Sequence, residues 1–73
     1  MTKRQAYRIA LATNASYILL GAETECIAAL LSDKDNEKFL VAQREMAWRM
    51  LKQAGFDRPM NAEEVVCCVL NGK

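Results

Sequence analysis

Apolar residues recur every three to four positions over most of this chain, which is the spacing of amphipathic helices. Between Thr2 and Leu20 the pattern predicts a first helix with Thr2 as its N-cap. We assign its core-facing stripe to Tyr7, Leu11, Ala15 and Ile18, with Ala10 and Leu19 alongside. Because Ile9, Tyr17 and Leu20 lie off that stripe, we expect neighbouring elements to surround most of this helix.

Gly21 leaves two interpretations of where the first helix ends. Glycine commonly ends helices, but apolar residues continue nearly in phase beyond it, at Ala22, Cys26, Ile27 and Leu30. One long helix from about Lys3 to Leu31 would show this pattern. A helix of that length is unusual in a small domain, so we predict a long N-terminal helix that is kinked or broken at Gly21.

The polar run from Ser32 to Asn36 predicts a loop whose side chains cap the helix that follows. We expect that helix to run from Glu37 to Ala54. Its predicted core arc consists of Phe39, Leu40, Ala42, Met46, Ala47, Met50, Leu51 and Ala54. Gly55 and Phe56 then fit a Schellman motif, in which a left-handed glycine ends the helix and the next residue packs back.

The last predicted helix runs from Ala62 to Leu70. Asn61 and Glu64 have the spacing of a capping box, and Met60 and Val65 have that of a hydrophobic staple. The apolar run at its end also fits a strand, but no second strand-like segment could pair with it. We therefore predict an all-α protein, a compact bundle of three to four helices that forms a single domain over residues 1–73.

Composition narrows the class of protein. A 73-residue chain with 52% hydrophobic residues and a formal net charge of +1 is typical of a small folded domain. Thr13, Asn14 and Ser16 interrupt the first apolar stretch, so we expect neither a signal peptide nor a membrane segment, and we predict a cytoplasmic protein. Because so short a chain has a small core, we expect a homodimer to stabilise it.

The residue types that commonly carry chemistry are few. Cys26, Cys67 and Cys68 are the three cysteines and histidine is absent, so we expect buried, unpaired thiols without a metal or cofactor. The acid pairs Glu23 with Glu25 and Glu63 with Glu64 should diverge on their helices. A Ser-His-Asp triad is excluded by the lack of histidine. We predict that the protein is not an enzyme.

Trp48 suggests how the protein acts. On the helical wheel it lies with Val41 almost opposite the methionines of the core arc, and Arg44 and Lys52 flank it. Either another helix covers it, which would make this helix the central one, or it forms an exposed interface. We predict a non-catalytic helical module for protein–protein interaction that self-associates, with interface residues Trp48, Val41, Arg44 and Lys52. An unidentified protein partner is the other candidate for this surface.

Basic residues support an alternative. Arg44, Arg49 and Lys52 share part of one helix surface, and Lys3, Arg4 and Arg8 form a second cluster near the N-terminus. These two clusters are consistent with a small nucleic-acid-associated regulator. Acidic residues interleave with the first cluster, and no helix-turn-helix motif can be aligned, so this class stays the second hypothesis.

Overall fold

The computed structural model describes residues 1–21 and 30–72. In these two ranges the chain forms three α-helices and no strand, namely α1 (Lys3–Leu19), α2 (Asp33–Gln53) and α3 (Ala62–Leu70). The all-α prediction is therefore confirmed for these residues, and the strand alternative for the last segment is wrong. The molecule measures 43 × 19 × 18 Å, so it is more extended than the compact bundle that we expected.

Both ends of α1 are fixed by local hydrogen bonds. At its start the Thr2 hydroxyl accepts from the Gln5 amide at 3.1 Å, and the Gln5 side chain accepts from the Thr2 amide at 2.8 Å. At its end Gly21 has a φ of +84° and donates its amide to the carbonyl of Ile18 at 3.0 Å. The helix therefore breaks at Gly21, and a continuous helix is wrong. The predicted continuation through Cys26 lies outside the described residues.

The start of α2 corrects the expected loop. Residues 33–36 form its first turn, and Ser32 is the N-cap, whose hydroxyl accepts from the Asp35 amide at 3.3 Å. Asp33 and Asp35 place carboxylates at the positive end of the helix dipole. Side chains that cap helices also favour turns, and for that reason the polar run predicts a loop when the sequence is considered alone.

The end of α2 confirms the Schellman motif. The Gly55 amide donates to the Lys52 carbonyl at 3.0 Å, and the Phe56 amide donates to the Leu51 carbonyl at 3.1 Å. Gly55 has the left-handed φ of +88° that this motif requires, and the Phe56 side chain is buried. At the next helix Asn61 caps α3 by accepting from the Glu64 amide at 2.9 Å. The bounds of α3 match the prediction.

Among the described helices α1 is the central one, because both α2 and α3 pack against it. The alternative in which α2 is the central helix is therefore wrong for the described residues. The buried core consists of Ala12, Ala15, Ile18, Ala47, Leu51, Ala54, Phe56, Val65 and Val69. Several of these side chains are alanines, which let the helix backbones approach closely, and Leu51 and Val65 supply the largest fully buried volumes.

The buried arc of α1 differs from the predicted stripe. Ala15 and Ile18 are buried as expected, but Tyr7 is 56% exposed and Ala10 is also exposed. The buried side instead centres on Ala12 and Ser16. A broad side of α1 is exposed to solvent, so the expectation that neighbouring elements surround this helix is wrong.

Two side chains of α1 hold the loops of the other helices. The Arg8 Nε donates to the carbonyl of Ala54 at 2.9 Å, and its guanidinium lies 5.7 Å from the centre of the Phe56 ring. A cation at the C-terminal end of a helix interacts favourably with the negative end of the helix dipole, and a cation near an aromatic ring interacts favourably with the ring. The buried hydroxyl of Ser16 accepts from the Met60 amide at 3.0 Å, which fixes the chain just before α3.

Candidate interaction surface

The outer face of α2 carries the interface residues that the sequence predicted. At about 100° per residue, Val41 and Trp48 lie two turns apart on almost the same line of the helix. This line is turned by roughly 100° from Ala47 and Leu51, which are buried in the core. Val41 is 55% exposed and Trp48 is 38% exposed, so no element of the protomer covers either of them fully.

Charged side chains border this apolar line on both sides. We use the name outer face for the set Lys34, Glu37, Lys38, Val41, Arg44, Glu45, Trp48 and Lys52, all of which are exposed. In residues 1–21 and 30–72 the one salt bridge joins Arg58 to Glu64 at 3.7 Å, away from this face. The charges of the outer face are therefore without ion-pair partners in the part of the chain that the structure describes.

Shallow grooves lie on either side of the N-terminal part of α2. One of about 390 Å³ is lined by Glu37, Lys38, Val41, Ala42 and Glu45, so its floor is apolar and its walls are charged. A second of about 240 Å³ is lined by Phe39, Ala42, Gln43 and Met46. Ala42 and Met46, which we expected in the core, are both exposed and border this second groove instead.

The basic residues of the alternative hypothesis occupy different settings on the surface. Lys3 and Arg4 are exposed, but Arg8 is partly buried and binds the C-terminal end of α2. Arg44 and Arg49 are both exposed, yet five residues place them about 140° apart around the helix. Of the expected groupings, the structure brings together Val41, Arg44, Trp48 and Lys52 on one face, places Arg4 and Arg8 in the lining of one groove, and separates Arg44 from Arg49.

Cysteines and acids were the other candidates for chemistry. Cys67 is exposed, which corrects the expectation of buried thiols, and its Sγ accepts from the Asn71 side-chain amide at 3.0 Å. Cys68 is partly buried and also free. Cys26 and the pair Glu23 and Glu25 lie outside the described residues. Where the structure is described, no three metal-ligating side chains cluster together.

The sequence prediction missed four residues of the outer face, namely Lys34, Glu37, Lys38 and Glu45. Glu37, Lys38 and Glu45 flank Val41 as closely as Arg44 and Lys52 flank Trp48, but the predicted interface does not include them. The signal that could have found them is the spacing: Glu37 with Arg44, and Lys38 with Glu45, are opposite charges separated by seven residues. Such a repeat keeps both members of each pair on one side of a helix.

Two further findings bear on this surface. Of the three described helices, none is long and apolar enough to cross a membrane. Comparison of the chain with protein-family models, with curated proteins and with solved structures finds no match.

Proposed function

We propose that this protein is a non-catalytic helical interaction module that self-associates through the outer face of α2. The observation that carries the proposal is the line of Val41 and Trp48, exposed on a helix whose flanking charges have no ion-pair partner in the described protomer. An exposed tryptophan beside arginine and lysine has the composition of an interface anchor.

The small size of the protein supports the same proposal. In the described part of the chain four of the nine buried core residues are alanines, so the core buries little apolar area, and stability depends on that area. Covering Val41 and Trp48 with a second molecule would add apolar burial that the protomer lacks. Binding of a partner to the folded state stabilises it by mass action, so the melting temperature should rise with protein concentration.

A nucleic-acid-associated regulator is the weaker proposal. It would use Lys3, Arg4, Arg44, Arg49 and Lys52, since Arg8 already binds the carbonyl of Ala54. Arg44 and Arg49 lie about 140° apart around α2, and the acids Glu37 and Glu45 lie on the same helix as these cations. No single observation favours this class, so it enters the experiment as an outcome.

The experiment measures solution mass by sedimentation over a wide range of protein concentration, with the emission of Trp48 recorded on the same samples. We expect a dimer that dissociates on dilution while the emission shifts to the red. Val41→Ser should remain monomeric with an unchanged helical spectrum. Tyr7→Ser is the matched control, because Tyr7 is as exposed as Val41 but lies on α1. This variant should dimerise normally.

Two results would contradict the proposal. A monomer at every concentration, with constant Trp48 emission, would exclude self-association. Retention of such a monomer on a DNA or heparin column, weakening steeply with salt, would favour the nucleic-acid class, because each phosphate contact releases counterions.

A further inference from the structure

We infer that the molecule that binds the outer face of α2 is a second copy of the same chain, with the two α2 helices antiparallel and the two-fold axis passing beside Val41. This inference rests on the proposed self-association and adds its orientation and register. The order of charges along the outer face carries it.

The charges divide into two sides. At about 100° per residue, Glu37 and Arg44 lie on one side of the line through Val41, and Lys38 and Glu45 lie on the other. Each side therefore has one acid and one base, seven residues apart, with Val41 midway between them. All four side chains are exposed and free of ion pairs in the described protomer.

An antiparallel two-fold dimer places like sides against each other and pairs residues at nearly equal distances from the axis, here three and four residues. With the axis at Val41, Glu37 lies level with Arg44 of the second copy, and Lys38 lies level with its Glu45. Symmetry doubles both contacts, which gives four ion pairs around a central contact between the two Val41 side chains. Every flanking charge then faces a charge of opposite sign.

The ends of the face distinguish this orientation from a parallel one. Trp48 and Lys34 each lie seven residues from Val41, on opposite sides of it along the chain. The antiparallel dimer therefore places Lys34 of the second copy beside Trp48, where a cation–π contact can form. A parallel dimer could also pair the flanking charges, but it would set Lys34 against Lys34 and align the two helix dipoles.

The three described helices leave room for this contact. The members of the core that α2 supplies lie at Ala47 and beyond, where the helix packs against α1. In the antiparallel dimer the two cores project at opposite ends of the helix pair. Two helices crossing at one valine bury less than the roughly 1,600 Å² of a standard interface, so we expect a weak, salt-sensitive dimer.

The first test is a cycle of charge reversals, with the dimer dissociation constant measured by sedimentation at low salt. Arg44→Glu alone should weaken the dimer about tenfold, because it turns two attractive contacts into repulsive ones. Adding Glu37→Arg should restore the wild-type constant to within about threefold. The matched control adds Glu45→Arg to Arg44→Glu, which restores contacts in the parallel arrangement only.

The second test uses the unaltered protein. A zero-length carbodiimide joins a lysine to a carboxylate in direct contact, and a mixture of ¹⁵N-labelled and unlabelled protein identifies links between copies. We expect an intermolecular link from Lys38 to Glu45. A link from Lys38 to Glu37 of the second copy would instead indicate parallel helices.

The outcomes separate the two proposals. Rescue of the dimer by Glu45→Arg rather than by Glu37→Arg would overturn the antiparallel register. A dimer dissociation constant that none of these changes alters would do the same. In both cases the proposed self-association would stand. A wild-type protein that is monomeric at every concentration would overturn both. Helical spectra of each variant show whether a loss of dimer reflects a loss of fold.

Discussion

The two halves of α2 differ in what they contact. In the C-terminal half, Ala47 and Leu51 are completely buried, and Ala54 caps the helix from within the core. In the N-terminal half, the residues that continue the same inner line are Asn36, Leu40 and Gln43, and each is only partly buried. One helix thus anchors the fold with one half and presents Val41 and its flanking charges with the other.

The position of α1 explains this difference. Arg8, near the start of α1, binds Ala54 at the C-terminal end of α2, so α1 begins beside the end of α2. From Arg8, α1 continues only to Leu19, about 17 Å at 1.5 Å per residue, whereas α2 extends about 31 Å back from Ala54 to Asp33. The N-terminal end of α2 therefore lies farther from this contact than α1 reaches.

Polar side chains reinforce the contrast. The side-chain oxygens of Asn36 and Gln43 are buried without hydrogen-bond partners in the described protomer. An unsatisfied buried polar atom costs about 1–3 kcal/mol. The inner line of the N-terminal half is therefore less stabilising than a line of apolar residues would be.

The largest expected effect comes from truncating the same side chain in each half. Leu51→Ala should lower the free energy of unfolding by about 3 kcal/mol, because it removes a fully buried leucine and leaves a cavity. Leu40→Ala should cost about 1 kcal/mol, because Leu40 is only partly buried and lies outside the core cluster. Denaturant unfolding of dilute samples measures both. Equal losses of unfolding free energy in the two variants would contradict the difference between the two halves of α2.

A smaller effect should follow from removing the contact that sets the position of α1. Arg8→Met leaves the Ala54 carbonyl without its charged donor and the Phe56 ring without its cation, at a cost of about 2 kcal/mol. Arg4→Met removes an exposed cation and should change stability by less than about 0.5 kcal/mol. Thermal unfolding distinguishes the two, and an equal loss in both variants would contradict a specific role for Arg8.

The smallest effect should be a gain. Gln43→Met replaces a partly buried amide, whose oxygen has no partner in the described protomer, with an apolar side chain of similar length. We expect stability to rise by about 1 kcal/mol because the unsatisfied oxygen disappears. Gln53→Met is a control at an exposed position of the other half, where little change is expected. Destabilisation by Gln43→Met would show that this amide is satisfied in solution.

The sequence predicted where the helices begin and end better than it predicted how they pack against one another. Caps and left-handed glycines act over three or four residues, so Thr2, Gly55 and Asn61 could be assigned from their local spacing. The start of α2 was missed because Ser32 caps a first turn that is polar throughout. Helix caps can therefore be predicted from the sequence alone, except where the residues of a cap are also those that favour a turn.

Packing was harder to predict because it depends on contacts between distant segments. A wheel counts tyrosine as apolar, but the face of α1 that meets the other helices carries Ala12, Ala15 and Ser16, whose small side chains permit close approach. The exposed line of Val41 and Trp48 was recognised from periodicity. The charges of Glu37, Lys38 and Glu45 were not, because periodicity identifies charged residues only as solvent-facing, and the contact that we propose for them lies between two copies of the chain.

The most direct test is hydrogen exchange of the α2 amides at two protein concentrations. At low concentration we predict slow exchange in residues 47–53 and faster exchange in residues 36–46, in keeping with their different packing. At high concentration the N-terminal half should gain protection while the C-terminal half changes little, because the second copy binds around Val41. Uniform protection along α2 that does not depend on concentration would contradict both the division of the helix and its proposed role in self-association.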